Sequence, residues 1–411
     1  MSRSIETVGV IGLGYIGLPT AAVLADAGVE TIGMDVSAHT VEAVNAGQVP
    51  FVEPGLREVV ERAVSAGMLS ASVETPAADA YIVAVPTPFT ETHAADLSYI
   101  EAAARGIAPH LTGGELVILE STSPPGATER MGATILAARP DLAAADVLVA
   151  HCPERVLPGK IMVEMAENDR IIGGTTPEAA AAARDLYARF CRGEMLLTDA
   201  RTAEMAKLVE NSFRDVNIAF ANELSVICAE VGVDVWELIE LANHHPRVNI
   251  LQPGPGVGGH CIAVDPWFIV DAAPESARLI RTARQTNDGK PEWVLGRIEQ
   301  ALEHHGAGAT VALLGLAFKP NIDDLRESPS LQIAERLVER APEATIRAVE
   351  PNIEELPASL AAAQNVTLTP VEEALDAADI VVLLVDHRQF TEIPAERLGR
   401  ATVIDTRGVW R

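Results

Sequence analysis

The residues with the most chemical potential lie in the stretch 254–266, G-P-G-V-G-G-H-C-I-A-V-D-P. Its four glycines free the backbone to approach a ligand, and its prolines fix the turns around them. One cysteine, Cys261, directly follows Gly258, Gly259 and His260. A thiol displayed on such a loop suits a covalent nucleophile. A tight connecting loop with a buried cysteine is the other reading of the same residues. A second group, Lys207, Asn211 and Arg214, falls at i, i+4 and i+7 and so shares one helix face. A solvated polar face is the common case for such a trio. Against it stands the scarcity of lysine: Lys160, Lys207, Lys290 and Lys319 are the only ones in 411 residues.

A third group opens the chain. Residues 8–11 are apolar, and Gly12-x-Gly14-x-x-Gly17 follows, then a helical stretch to Ala27 and a strand over 30–34 that ends at Asp35. The helix start offers free backbone N–H groups and a positive dipole end to a pyrophosphate. Asp35 has the spacing to hold both ribose hydroxyls of NAD and to repel the extra phosphate of NADP.

These groups need a frame. Apolar runs at 81–85, 116–120 and 147–150 each end in a polar turn, which in a parallel sheet lies at the ligand-binding carboxyl edge. Thr87 and Thr122 lie in two of these turns. The third turn, 152–160, carries Glu154, Arg155 and Lys160. Residues 203–231 read as one long helix stopped near Gly232, with Met205, Leu208, Val209, Ser212, Phe213 and Val216 as its apolar face. A short helix over 235–242 precedes His244 and His245, too few ligands for a metal. From about Thr310 a second α/β pattern begins, with strands at 311–317, 345–349, 380–385 and 402–405. Only Gly315 follows its first strand, so no second dinucleotide is expected in the same mode.

A net charge of −27 disfavours nucleic acid and anionic membranes as partners. No apolar run reaches about 18 residues, so no membrane span is expected. The N-terminus enters a strand without a signal peptide, and Cys152, Cys191, Cys228 and Cys261 show no paired spacing. Both features predict a cytoplasmic protein with free thiols and no structural metal.

The fingerprint, S-T-S-P-P-G (121–126), K-L-V-E-N (207–211), G-G-H-C-I-A-V-D-P (258–266) and G-L-A-F-K-P (315–320) occur in one order over nearly the whole chain. Together they resemble the UDP-glucose/GDP-mannose dehydrogenase family. The stretches 152–160 and 245–261 are similar to its UDP-N-acetyl-D-mannosamine branch. The resemblance implies an α/β fold in three parts: an N-terminal Rossmann NAD domain (1–198), an all-helical dimerisation domain with a long central helix (199–297), and a C-terminal Rossmann-like UDP-sugar domain (298–411). It implies NAD as cofactor, a UDP-sugar as substrate and a homodimer with Arg247 contributed to the neighbouring site.

By the same resemblance Cys261 is the nucleophile and Lys207 the acid/base. Asn211 and Asp265 assist, and Glu154 helps in hydrolysis. Gly12, Gly14, Tyr15, Ile16, Gly17, Asp35, Thr87, Thr122 and Arg326 match cofactor contacts. Arg155, Val156, Lys207, Asn211, Arg214, His245, Arg247, Gly258, Phe318 and Lys319 match nucleotide-sugar contacts. The implied reaction oxidises a primary alcohol twice, with two NAD⁺ consumed and the intermediate aldehyde held on Cys261. Oxidation of UDP-N-acetylglucosamine or UDP-glucose, a one-step hydroxyacid dehydrogenase and an NAD-binding regulatory protein are the alternatives.

Overall fold

Short apolar runs, each ending in a turn, become the strands of two sheets. The computed structural model describes residues 5–90, 93–157, 159–259 and 262–411, which cluster into the units Met1–Glu210 and Asn211–Arg411. The first unit holds β1 (Thr7–Ile11), β2 (Glu30–Met34), β3 (Leu69–Ser72), β4 (Ala80–Val83), β5 (Leu116–Leu119), β6 (Leu148–His151), β7 (Arg170–Gly174) and β8 (Met195–Asp199). Their order in the sheet is β3-β2-β1-β4-β5-β6-β7-β8. Neighbours run parallel except β6 and β7, where Ala150 faces Gly174 and His151 faces Gly173 antiparallel. β5 is buried at every residue, because apolar side chains cover both faces of the sheet. Helix α1 (Gly17–Asp26) packs Leu18, Ala21 and Leu24 on one face. Ile100, Ile107, Met131 and Ile135 cover the other. The strand order reverses between β1 and β4, which opens a crevice at their carboxyl ends.

The chain passes into the second unit within α2 (Ala200–Val231), one unbroken helix of 32 residues that stops at Gly232, whose φ is +74°. The helices α3 (Val235–Asn243), α4 (Asp265–Ala272) and α5 (Arg278–His305) follow. Then come β9 (Thr310–Leu314), α6 (Pro329–Arg340), β10 (Thr345–Val349), β11 (Val366–Leu368), β12 (Ile380–Leu383) and β13 (Thr402–Asp405). These strands form a five-stranded parallel sheet in the order β11-β10-β9-β12-β13, with its own reversal between β9 and β12. Among the described residues no helix is long and apolar enough to cross a membrane.

Two details differ from the sequence reading. The runs 81–85, 311–317 and 380–385 overshoot their strands, because Leu316, Ala317, Leu384 and Val385 are buried in the turns that follow. On α2, Leu208 and Ser212 of the expected apolar face are buried, but Met205, Val209 and Phe213 are 37%, 47% and 67% exposed. The buried side of α2 carries Glu204, Asn211, Asp215 and Asn222 instead. Periodicity locates an apolar stripe; here hydrogen-bond partners decide which side turns inward.

Candidate functional site

In the first unit the turn after β1 holds the cofactor residues. Gly12 has φ +96°, and a Cβ there would sit 2.6 Å from Ala84 O, so only glycine fits. A Cβ on Gly14 would meet nothing within 4 Å, which leaves open space where a pyrophosphate would lie. Ile16 is the N-cap residue of α1. Asp35 accepts the N–H groups of Leu13 and Ser37, each at 2.9 Å. A carboxylate has about four acceptor positions, so capacity remains for ribose hydroxyls. Tyr15, 47% exposed, stacks on Phe51 at 4.3 Å between ring centroids. The Thr87 Oγ1 is buried with no hydrogen-bond partner among the described residues. An orphaned hydroxyl and an open glycine cradle both fit a dinucleotide.

Behind this crevice Glu120, at the end of β5, is buried and accepts from Thr20 Oγ1 and Tyr187 OH at 3.0 Å each. Burial, and then the nearby Glu154 charge, push its carboxyl up to about 7. Glu154 is itself buried, accepting from Arg170 Nη2 at 2.9 Å and from the Arg155 N–H at 2.7 Å. Arg155 donates to Glu210 Oε1 at 2.7 Å and also to Asp169 O. Val156 is half-buried beside it. Glu53 pins the far side of this loop by accepting the N–H groups of Gly159 and Ile161. Glu204, one turn before Lys207, accepts from Gly126 N, Thr128 N and Thr128 Oγ1 at 2.6–2.7 Å. It locks the start of α2 to the turn that carries Thr122. Glu53, Arg170 and Glu204 were not singled out in the sequence; a buried acid facing backbone amides has no sequence motif.

In the second unit asparagines clamp the approach to 254–266 from α2 and α3. Asn217 Oδ1 accepts from Leu251 N, and Asn222 Oδ1 accepts from Gly254 N, both at 2.9 Å. Asn243 exchanges hydrogen bonds with Ile250. Asn211 donates its Nδ2 to Asp265 Oδ2 at 2.5 Å, with both residues buried. Beneath them Arg284 and Asp215 form a buried ion pair at 2.5 Å, and Arg284 also reaches Ile262 O at 3.4 Å. Removing one partner of such a pair costs about 3–5 kcal/mol. Gly259 has φ +88°, and a Cβ there would sit 2.9 Å from the Phe318 ring; one on Gly258 would sit 2.3 Å from Glu327 O. Both glycines are therefore fixed by close approach of the 315–328 loop. His260 and Cys261 lie outside the described residues.

That loop starts at the β9–β12 crevice. Leu316 N and Ala317 N donate to Glu350 Oε2 at 2.9 and 3.0 Å. His387 Nδ1 accepts from Asn321 N, so its Nε2 carries the proton and donates to Glu350 at 2.9 Å. This frame holds Phe318 against the glycines and leaves Lys319 exposed. Arg326 pairs with Asp324 at 2.7 Å. Arg214 and Arg247 are exposed, and His245 Nδ1 accepts the Arg247 N–H at 3.3 Å.

The predicted residues thus gather in two groups. Gly12, Gly14, Tyr15, Ile16, Gly17, Asp35, Thr87, Thr122, Glu154, Arg155, Val156 and Lys207 belong to the first unit. Asn211, Arg214, His245, Arg247, Gly258, Asp265, Phe318, Lys319 and Arg326 belong to the second.

Comparison with known proteins divides the chain into three parts. Residues 6–191 match the NAD binding domain of the UDP-glucose/GDP-mannose dehydrogenase family, 201–289 its central domain, and 312–411 its UDP binding domain. The chain is 59% identical to an NDP-N-acetyl-D-galactosaminuronic acid dehydrogenase of Ralstonia nicotianae, covering 100% of this chain and 98% of that protein. It is 56% identical to a UDP-N-acetyl-D-mannosamine dehydrogenase of Yersinia pestis, covering 99% and 100%. The solved UDP-D-ManNAc dehydrogenase of Pyrococcus horikoshii superposes with a TM-score of 0.88 at 38% identity, over 98% of this chain and 96% of that one. With all three family domains matched in order, this chain belongs to the UDP-glucose/GDP-mannose dehydrogenase family and is an NAD-dependent enzyme of it.

Proposed function

We propose that the enzyme oxidises the primary alcohol of UDP-N-acetyl-D-mannosamine to the carboxylate, at a cost of two NAD⁺ per sugar. The observation that carries this reading is the buried 2.5 Å bond from Asn211 to Asp265. It fixes the helix that bears Lys207 to the residue four positions beyond Cys261. When bound over the Gly12–Gly17 turn, NAD supplies the hydride acceptor. Lys207 takes the alcohol proton and steadies the developing oxyanion. The Cys261 thiolate adds to the aldehyde, and the resulting thiohemiacetal is oxidised to a thioester. Water, directed by Glu154, then releases the acid and returns the thiol. Asn211 and Asp265 hold the reacting carbon's surroundings in place. Arg155, Val156, Arg214, His245, Gly258, Phe318 and Lys319 hold the nucleotide sugar, and Arg326 joins Tyr15, Ile16, Asp35, Thr87 and Thr122 on the cofactor.

The exposed stripe Met205, Val209, Phe213, Phe220, Ile227 and Val231 on one face of α2 supports a homodimer, with Arg247 reaching the neighbouring site. We assign the domains as 1–198, 199–297 and 298–411, and place the enzyme in the cytoplasm. The 59% identity to a protein named for N-acetyl-D-galactosaminuronic acid favours a second sugar, the nucleotide-linked N-acetylgalactosamine.

The test is NADH release from UDP-N-acetylmannosamine, UDP-N-acetylgalactosamine, UDP-N-acetylglucosamine and UDP-glucose in parallel. Two NADH per UDP-N-acetylmannosamine is expected, with UDP-N-acetylgalactosamine as the second sugar oxidised, and far slower release from UDP-N-acetylglucosamine and UDP-glucose. One NADH per sugar would refute the double oxidation. Full turnover in Cys261→Ser would remove that thiol from the chemistry.

A further inference from the structure

Lys290 is one of four lysines in a chain of net charge −27, and it is buried in α5 at 4% exposure. Its Nζ hydrogen-bonds Ser225 Oγ of α2 and lies 4.1 Å from the Trp293 ring centroid. Arg297, two turns along α5 from Lys290, stands 5.7 Å from the same ring. Two cations therefore flank one indole, and among the described residues neither forms a salt bridge. Both line a cleft of about 360 Å³ with Ser225, Cys228 and Pro253. Two carboxylates stand at its edge, each partly taken up by backbone amides. Asp234 caps α3 by accepting from Trp236 N and Glu237 N. Asp405 accepts from the amides of Arg407, Gly408 and Trp410.

We propose that this cleft is a second binding site, for a small oxyanion of the phosphate or sulfate type held by Lys290 and Arg297. A buried ammonium without a counter-ion is a costly arrangement, and an anion in the cleft relieves it. Burial pushes the Lys290 amine down to about 7. Ser225 lies 14 residues, or roughly 20 Å, along α2 from Asn211. The cleft is thus separate from the Asn211–Asp265 pair. Its wall includes Pro253, whose neighbour Gly254 is held by Asn222, so a bound anion sits against the root of the 254–266 loop.

With so few lysines, trace acetylation can be read residue by residue across a pH series. In chloride Lys290 becomes half-reactive near pH 7; in sulfate of equal ionic strength that midpoint rises by roughly one pH unit. Arg297→Gln, an exposed position, retains turnover and loses most of the rise. A parallel arm with ribose 5-phosphate shows whether the oxyanion is free or carried on a small organic group. Calorimetry at pH 8 in buffers of differing ionisation enthalpy reads the same event without a reagent. The wild type takes up roughly 0.4 proton per sulfate, and Lys290→Met takes up none. No midpoint shift with either anion, an undiminished shift in Arg297→Gln, or proton uptake that survives in Lys290→Met overturns the proposal.

Discussion

In the first sheet Gly12 follows β1 with φ +96° and donates to Met34 O at 2.7 Å; in the second, Gly315 follows β9 with φ +96° and donates to Val349 O at 2.8 Å. An acid then closes each turn from the end of the next strand. Asp35 accepts the Leu13 N–H, and Glu350 accepts those of Leu316 and Ala317. Up to this point the two crevices are built alike. They part in how the acid is used. Asp35 is half-buried and takes two backbone donors. The Glu350 side chain is fully buried and also takes His387 and both nitrogens of Asn352. One acid keeps acceptor capacity for a ligand; the other is saturated and serves only as a brace. The loops differ to match. In the first, α1 starts five residues after Gly12 and offers its backbone N–H groups. In the second, α6 starts at Pro329, and the intervening loop presents the side chains of Phe318 and Lys319.

This contrast predicts its largest effect at the brace. Glu350→Ala leaves a buried imidazole and two backbone N–H groups unpaired, and is expected to cost about 3–5 kcal/mol. Urea unfolding of the variant measures it directly. A loss under about 1 kcal/mol would mean that water replaces the carboxylate and that the turn is not held as described. Asp35→Ala is the matched experiment, with the opposite balance. It removes two half-buried bonds and is expected to cost about 1 kcal/mol of stability. It also removes the ribose acceptor, so KM for NAD should rise about 10- to 100-fold while kcat changes little. Equal stability losses in the two variants would erase the distinction between reader and brace.

The reader was legible in the sequence and the brace was not, for a physical reason. A ligand-facing turn needs glycines, a helix start and an acid at fixed spacing, and that spacing is local: Gly12, Gly14, Gly17 and Asp35 lie within 24 residues. Glu350 meets Leu316 across 34 residues and His387 meets Asn321 across 66, by strand order alone, and no local pattern records that. The same holds for Glu204 on Gly126 and for Glu53 on the 159–161 turn. The strands β9, β10, β12 and β13 were visible as apolar runs, whereas β11, of three residues, offered too short a run. The long helix was legible by its periodicity, but not its buried side. Asn211, Asp215 and Asn222 point inward because their partners Asp265, Arg284 and Gly254 come from elsewhere in the chain.

A further effect is one of pH, and it separates the crevices once more. Burial holds Glu120, behind the first crevice, up to about 7, above its ordinary 4.5. Glu350 stays below 4.5: burial would raise it, but the His387 bond and the backbone N–H groups outweigh that. Opposite slopes follow. Glu120 is protonated in folded and unfolded chains below about pH 4.5, so it costs nothing there. As pH rises to 7 the unfolded chain ionises first, and the fold loses up to about 3 kcal/mol at 1.36 kcal/mol per pH unit. Glu350 acts the other way, adding stability above pH 4.5 that is lost as pH falls through its folded pKa. Glu120→Gln keeps hydrogen-bonding capacity toward Thr20 and Tyr187 but cannot ionise. Its stability relative to wild type should therefore be flat below pH 4.5, climb between 4.5 and 7, and level off above. Chemical denaturation at half-unit pH steps resolves that curve. A relative stability that falls over the same interval would show that Arg170 keeps Glu120 ionised in the fold, and the two acids would then respond to pH alike.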